Sequence, residues 1–298
     1  MLAPIALFVY NRPMHAERVL EALRNNKEAA ASDLFIYSDA PRGKAALQAV
    51  SAVRELIGKV HGFNSVTVIE QEINLGISQS IVSGVTDLTA RFGKVVVLED
   101  DVLPSKYFLQ YMNDGLEMFR DVEEVVSIHA YVYPIRQVLP ETFFLRGADC
   151  WGWGTWKRGW ETYESDGRKL LAEIHARGLA MEFDLGESYP YTKMLEDQIN
   201  GKNDSWAVRW HASAFLRGQF TLYPGSSQVQ SIGADGSGAN VGKTSVFSHG
   251  KWGERVNVLP IPLEESLDAR RAFAEYLRVL TSSRSRRLLE RISRLLGR

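Results

Sequence analysis

The chain has 298 residues, 45% hydrophobic and 24% charged, the balance of a globular protein with one large domain or a domain plus an appendage. A formal net charge of -1 gives no footing for a nucleic-acid partner, and the single cysteine, Cys150, excludes a disulfide framework and every multi-cysteine zinc site. No window approaches the ~20 apolar residues of a spanning helix, and Met1-Leu2-Ala3-Pro4-Ile5 lacks the basic-then-apolar pattern of a signal peptide, so a cytoplasmic protein is expected.

In chain order, Ile5-Ala6-Leu7-Phe8-Val9 reads as a buried strand, followed by a helix over about 14–25. Leu34-Phe35-Ile36-Tyr37 and Val66-Thr67-Val68-Ile69 predict two more strands, with a helix over about 45–57 between them. Ile77, Ile81, Val85 and Leu88 mark one face of a further helix, and Val95-Val96-Val97-Leu98 is the most continuous apolar strand. Phe108, Tyr111, Met112 and Phe119 predict another amphipathic helix, and Val125-Val126-Ser127-Ile128 another strand. Alternating strands and helices imply an α/β fold, with a mostly parallel sheet flanked by helices and ligands bound beyond the carboxyl ends of its strands. The second half is rich in Trp, Gly and Tyr and reads as irregular, before the chain turns helical from about Leu267.

The sharpest feature is Glu99-Asp100-Asp101 at the mouth of a buried strand. Adjacent carboxylates repel one another and each costs desolvation; a divalent cation resolves both problems, and Mn²⁺ or Mg²⁺ takes such oxygen ligands together with substrate phosphates. The alternative is a solvated turn whose acids cap the next helix, with Pro104 near its first turn. Two earlier strands end in Tyr10-Asn11-Arg12-Pro13 and Ser38-Asp39-Ala40-Pro41-Arg42. Arginine can bind phosphate or stack on a base, and aspartate can accept from base or ribose. Asn74-Leu75-Gly76 opens a helix whose backbone N–H groups are suited to an anion.

On the residues Asn11-Arg12, Ser38-Asp39, Asn74-Leu75-Gly76 and Glu99-Asp100-Asp101, the chain resembles glycosyltransferases of the GT-A fold over roughly residues 4–240. The likeness is to the N-acetylglucosaminyltransferase I type and to bacterial transferases of surface-polysaccharide assembly. It implies a glycosyltransferase domain over 1–265, with a nucleotide-sugar half of about 1–130 and an acceptor half of about 131–265, and a basic helical tail over 266–298. It further implies Mn²⁺ or Mg²⁺ at Asp101, with Asp100 and Glu99 on the sugar and ribose. Arg12, Asp39, Asn74 and Gly76 would lie on the donor, which the resemblance suggests is UDP-linked. The triplet departs from the commoner Asp-any-Asp pattern of such enzymes.

Inverting transfer needs a base for the acceptor hydroxyl, here expected from the second half as Asp204 or Asp197. Asp204 is preferred because it precedes Trp206 and Trp210, although it also reads as a helix N-cap. The cluster from Trp151 to Trp160 reads as core packing or as an acceptor platform. His249 is the histidine suited to complete a metal shell, or else a satisfied structural histidine. Gly236 to Thr244 imitates a phosphate loop but has one residue too many before Gly242-Lys243, so a lid is the better reading. From Arg270 onward nine arginines face two glutamates, a surplus of about +7, and 284–298 reads as an interfacial helix for an anionic membrane on the inner face of the cell membrane, or as a partner-binding helix. The acceptor expected is a glycan or lipid-linked saccharide. The competing classes are a nucleotidyltransferase or metal-dependent phosphohydrolase using the same acids, and a non-catalytic carbohydrate-binding protein built on the aromatics.

Overall fold

The computed structural model describes residues 1–234, 246–247 and 252–281. His249, the loop at 236–244 and the arginine-rich end from 282 lie outside the described residues.

The first half alternates as its apolar runs require: β1 (Ile5–Val9), α1 (Pro13–Arg24), β2 (Asp33–Ser38), α2 (Leu47–Ile57), β3 (Ser65–Glu70), α3 (Gly76–Phe92) and β4 (Lys94–Glu99). These strands stand in the order β3-β2-β1-β4, all parallel. Successive side chains of a strand face opposite sides, so an unbroken apolar run needs cover on both. Ile5, Leu7, Leu34, Ile36, Val96 and Leu98 accordingly pack with Ala16, Leu23 and Ile57 of α1 and α2. Ala6, Phe8, Phe35, Tyr37, Val95 and Val97 pack with Ile81, Val85 and Leu88 of α3 on the other face. Pro13 is tolerated at the start of α1 because the N–H it lacks has no helical partner there.

Pro104 departs from expectation. Val102–Pro104 forms a short strand, β5, and the next helix, α4 (Phe108–Met118), starts four residues later. The second half is also more regular than its composition suggests. It continues through β6 (Val125–His129), β7 (Thr142–Arg146), β8 (Trp153–Trp156) and α5 (Lys157–Trp160). Then come α6 (Gly167–Ala176), α7 (Ala180–Phe183), α8 (Tyr191–Ile199), α9 (Trp206–Leu216), β9 (Phe220–Pro224) and β10 (Val229–Ser231). Strands β8, β6, β9 and β7 extend the sheet beyond β4 with mixed polarity, giving eight strands, and β10 pairs antiparallel with β5.

Trp153, Trp160, Trp206 and Trp210 pack into one cluster against the α3 face, so most of the tryptophan-rich stretch is core. The last described helix, α10 (Leu267–Thr281), buries Ala269 and Phe273 with Val132 beyond β6 and with Phe143, Leu145 and Tyr223 on β7 and β9. Among the described residues no helix is long and apolar enough to cross a membrane.

Candidate functional site

After β3 the chain crosses back to place β4 on the far side of β1, so the carboxyl ends of β1 and β4 flank the switch point of the parallel sheet. Phe8 stands opposite Glu99 there, and the turn after β4 is sewn to β1. Asp100 N–H donates to Phe8 O at 3.0 Å, and Tyr10 N–H donates to the Asp100 carboxylate at 3.2 Å. Arg12, at the N-cap of α1, reaches back across the turn. Its Nη1 lies 2.9 Å from Asp101 Oδ2 and 3.9 Å from Asp100 Oδ1.

A cavity of about 330 Å³ opens over this switch point. Its lining brings together Asn11, Arg12, Asp39, Arg42, Asn74, Gly76, Glu99, Asp100, Asp101 and Trp151. Phe8 and Tyr37, stacked at 4.9 Å and 14°, give it an apolar wall. Sequence segments from Asn11 to Trp151 thus meet at one mouth, because each follows a parallel strand, precedes a helix or leads into the antiparallel β8 at the same end of the sheet. A second cavity of about 280 Å³, between α1 and the end of α2, is lined by side chains such as Arg24, Lys59 and His61 and shares none with the acidic cluster.

The electrostatics are unbalanced. Burial, then repulsion from Asp101 and Asp100, pushes Glu99 up to about 8, with Arg12 opposing. Burial and Asp101 likewise push Asp100 up to about 7, opposed by Arg12 and the Tyr10 N–H. One guanidinium therefore does not neutralise three acids, and the native fold holds protons on a cluster that would shed them in water. A divalent cation fits this donor set: oxygen ligands, surplus negative charge and an adjoining cavity. Among the described residues no three His, Cys, Asp or Glu side chains converge as a ready-made ligand set. Donor phosphates and water would have to complete the coordination, as is usual for Mg²⁺.

Asp39 is placed differently from its sequence reading. Its Oδ1 accepts from the backbone N–H groups of Ala40 at 2.8 Å and Leu75 at 2.9 Å. Its Oδ2 accepts from the Asn74 amide and the Gly76 N–H, both at 2.9 Å. A carboxylate offers about four lone-pair positions, and all are taken. The N–H groups of Leu75 and Gly76, expected to be open to an anion, are instead capped by this side chain from the neighbouring strand.

Asp204 is exposed, and its Oδ2 lies 4.0 Å from where a Cβ on Gly76 would stand, which puts it at the rim of the cavity. It is not the cap of α9. Ser205 fills that position, its Oγ accepting from Val208 N–H at 3.2 Å. Arg209 fastens α9 to α3 by donating to Ser78 Oγ at 3.0 Å. Asp197 does not line the cavity, and its carboxylate is held by Lys193 at 2.5 Å and Lys202 at 3.1 Å.

One carboxylate escaped the sequence reading. In the β4–β8 register Val97 faces Trp153, so the segment entering β8 runs antiparallel past the carboxyl end of β4. That segment carries Asp149, Cys150 and Trp151, and Trp151 lines the cavity. Burial raises the Cys150 thiol well above its usual value, and the charges of Asp149, Glu99 and Asp101 add to the rise. The thiol thus lies within the fields of both Asp149 and the triplet. His211 pins the approach: its ring hydrogen-bonds Ala148 O at 2.9 Å, over Gly147, where an added Cβ would stand 2.4 Å from the imidazole. An acid immediately before the tryptophan and glycine run was the available signal.

Fold and site together define an α/β protein with an acidic, arginine-bridged cleft at the switch point of its parallel strands. No protein-family model and no curated protein matches the sequence. Among solved structures the chain is similar to TarS 1–349 of S. aureus in complex with UDP, at 15% identity and a TM-score of 0.31, over 50% of this chain and 41% of that one. It is also similar to the mannosyltransferase PcManGT from Pyrobaculum calidifontis in complex with GDP-Man and Mn²⁺, at 13% identity and a TM-score of 0.36, over 72% of this chain and 70% of that one. The chain thus spans less than half the length of the TarS fragment.

Proposed function

We propose that the protein is a divalent-metal-dependent glycosyltransferase, moving a sugar from a nucleotide-sugar donor to a hydroxyl of a glycan or lipid-linked saccharide with inversion. The observation that carries this reading is the under-neutralised Glu99-Asp100-Asp101 cluster, bridged by Arg12, at a switch-point cavity with room for a nucleotide. Asp101 would hold Mn²⁺ or Mg²⁺ together with the donor phosphates, His249 being the further candidate ligand. The ion supplies positive charge to the departing diphosphate.

Arg12 and Arg42 line the cavity as cationic partners for phosphate, while Phe8 and Tyr37 offer an apolar wall to the nucleoside. Asn74 and Gly76 form the rim that Asp39 holds rigid; Asp39 acts through them, its own lone pairs being full. Glu99 and Asp100 face the sugar and ribose. A carboxylate takes the acceptor hydroxyl proton as the oxygen bonds to the anomeric carbon and the bond to diphosphate breaks. For this step we put forward Asp204, close to Gly76 of the rim, and Asp149, in the segment of the cavity-lining Trp151, ahead of the ion-paired Asp197. The arginine-rich end is proposed, on its charge alone, to contact an anionic membrane surface.

The test is thermal stabilisation by UDP and GDP, each with and without Mn²⁺. A ligand that binds the native state at a hundred times its Kd adds about 2.7 kcal/mol, and the shift is expected only with metal. Asp101→Ala should remove the metal-dependent part. Absence of a shift with either nucleotide and Mn²⁺ sinks the proposal.

A further inference from the structure

His129 ends β6 at the same edge of the sheet as the site and is fully buried. Neither ring nitrogen has a hydrogen-bond partner. Buried polar atoms are almost always satisfied, and an imidazole with both nitrogens unmet contributes nothing to the fold that an apolar side chain of similar size would not. Its Nε2 lies 3.8 Å from Asp149 Oδ2. The ring also packs against that of Tyr223, 5.0 Å away between centroids. The register explains the meeting, because His129 pairs with Trp153 in β8, and Asp149 lies on the segment that leads into that strand.

The 3.8 Å separation exceeds a hydrogen bond by about 1 Å. Asp149 is free to close it: its side chain is 31% exposed, while Oδ1 is tied to the Cys150 N–H at 2.8 Å. Oδ2 is the oxygen nearer the ring, and turning it toward the imidazole would satisfy Nε2. Burial lowers the imidazole below its usual value, against the opposing charge of Asp149, which favours the neutral ring with one N–H to donate.

We propose that His129 is the positioning residue of Asp149, its Nε2–H donating to Oδ2 so that the carboxylate is aimed at the acceptor hydroxyl. The inference rests on the glycosyltransferase reading for its catalytic meaning, but the contact itself does not depend on that reading. It also selects Asp149, rather than Asp204, as the carboxylate with a dedicated supporting group. His129 touches no reacting atom and acts only through Asp149.

Two measurements on the full chain test it. Long-range ¹H–¹⁵N spectra of the imidazoles, with the His129 signal assigned by its loss in His129→Gln, should show a neutral Nε2–H ring that shifts in Asp149→Ala. An Nδ1–H ring, or one indifferent to Asp149→Ala, overturns the contact. The second measurement is hydrolysis, with Mn²⁺, of whichever of UDP-glucose, UDP-N-acetylglucosamine and GDP-mannose the wild type cleaves fastest. His129→Leu should leave Tm little changed, since it gives up the Nε2–H donation but also removes the unmet buried Nδ1, and should leave the donor KM within about twofold. It should lower kcat about 10–100-fold, a share of the about 10²–10⁴ that a positioned base supplies. His129→Gln, which retains an N–H donor, should recover part of that loss. An unchanged kcat, or a loss that follows a fall in Tm, overturns the positioning role. If Asp149→Asn keeps full activity the base assignment fails as well; if the wild type cleaves no sugar, the proposed function fails while the imidazole spectra still judge the contact.

Discussion

At the scale of single residues, the acids at the end of β4 set the charge of the candidate site and its pH response. Glu99 and Asp100 hold protons in the native state that the unfolded chain releases, because their pKa values rise from 4.5 to about 8 and from 3.8 to about 7. Stability linked to such raised acids is whole below the unfolded value and lost as pH climbs through the native one. In EDTA, Tm should therefore fall between pH 4.5 and about 8 on account of Glu99, and from pH 3.8 to about 7 on account of Asp100. Glu99→Gln removes the larger source of this loss. The variant should melt above the wild type at pH 9 in EDTA, by at least the about 2–4 °C that each 1 kcal/mol is worth in a large domain, with a flatter profile. A Tm that rises with pH through this range in the metal-free wild type would show that the cluster is compensated by some other cation. The triplet was legible in sequence because an unbroken apolar run cannot end in three acids without consequence. Asp149 was not legible, because its meaning comes from a register between β4 and β8 that places it beside a cleft about 50 residues away in sequence.

Between residues and the whole lies the joint of β2 with α3. Asp39 caps a helix that is not its own, and all four groups it accepts from are donors. Asparagine is nearly isosteric but would turn an NH₂ toward two of those donors. Asp39→Asn should therefore be no milder than Asp39→Ala, each costing about 2 kcal/mol or more in urea unfolding, above the usual range for a lost cap. A mild Asn variant beside a damaging Ala variant would show that the bracket is weaker than its geometry. The elements themselves were legible in unequal measure. Strands β1, β2 and β4 are buried on both faces and show as apolar runs; β8 reads Trp153-Gly154-Thr155-Trp156, and its Gly and Thr hide a strand that is buried throughout. Gly154 is small because Met112 and the carbonyl of Val95 close over it, a packing reason that local composition cannot reveal.

In the whole molecule, α10 packs against the second half of the chain. Its buried face packs on β7 and β9, and Phe273 meets Tyr133, Phe143 and Tyr223 edge-on. Its last turn grips the loop between α7 and α8: Arg278 donates to Ser188 Oγ at 2.9 Å and Thr281 Oγ1 to Ser188 O at 3.2 Å. That loop carries Leu185 and Glu187 at φ 51° and 63°, a conformation that side chains other than glycine adopt only when their surroundings impose it. It leads to Tyr189, whose phenol is raised by burial and then by the charges of Asp149 and Cys150, so the loop ends near Asp149. Docking of α10 thus helps impose the strained turn and, through it, the placement of Tyr189. Phe273→Ala should cost about 3–5 kcal/mol, as for other buried aromatics. Native-state hydrogen exchange should quicken at 184–191 well before it does in β1 to β4, because the loop loses its clamp while the parallel core keeps its own. A uniform rise across both regions would mean that α10 serves general stability alone and does not clamp the loop at 184–191.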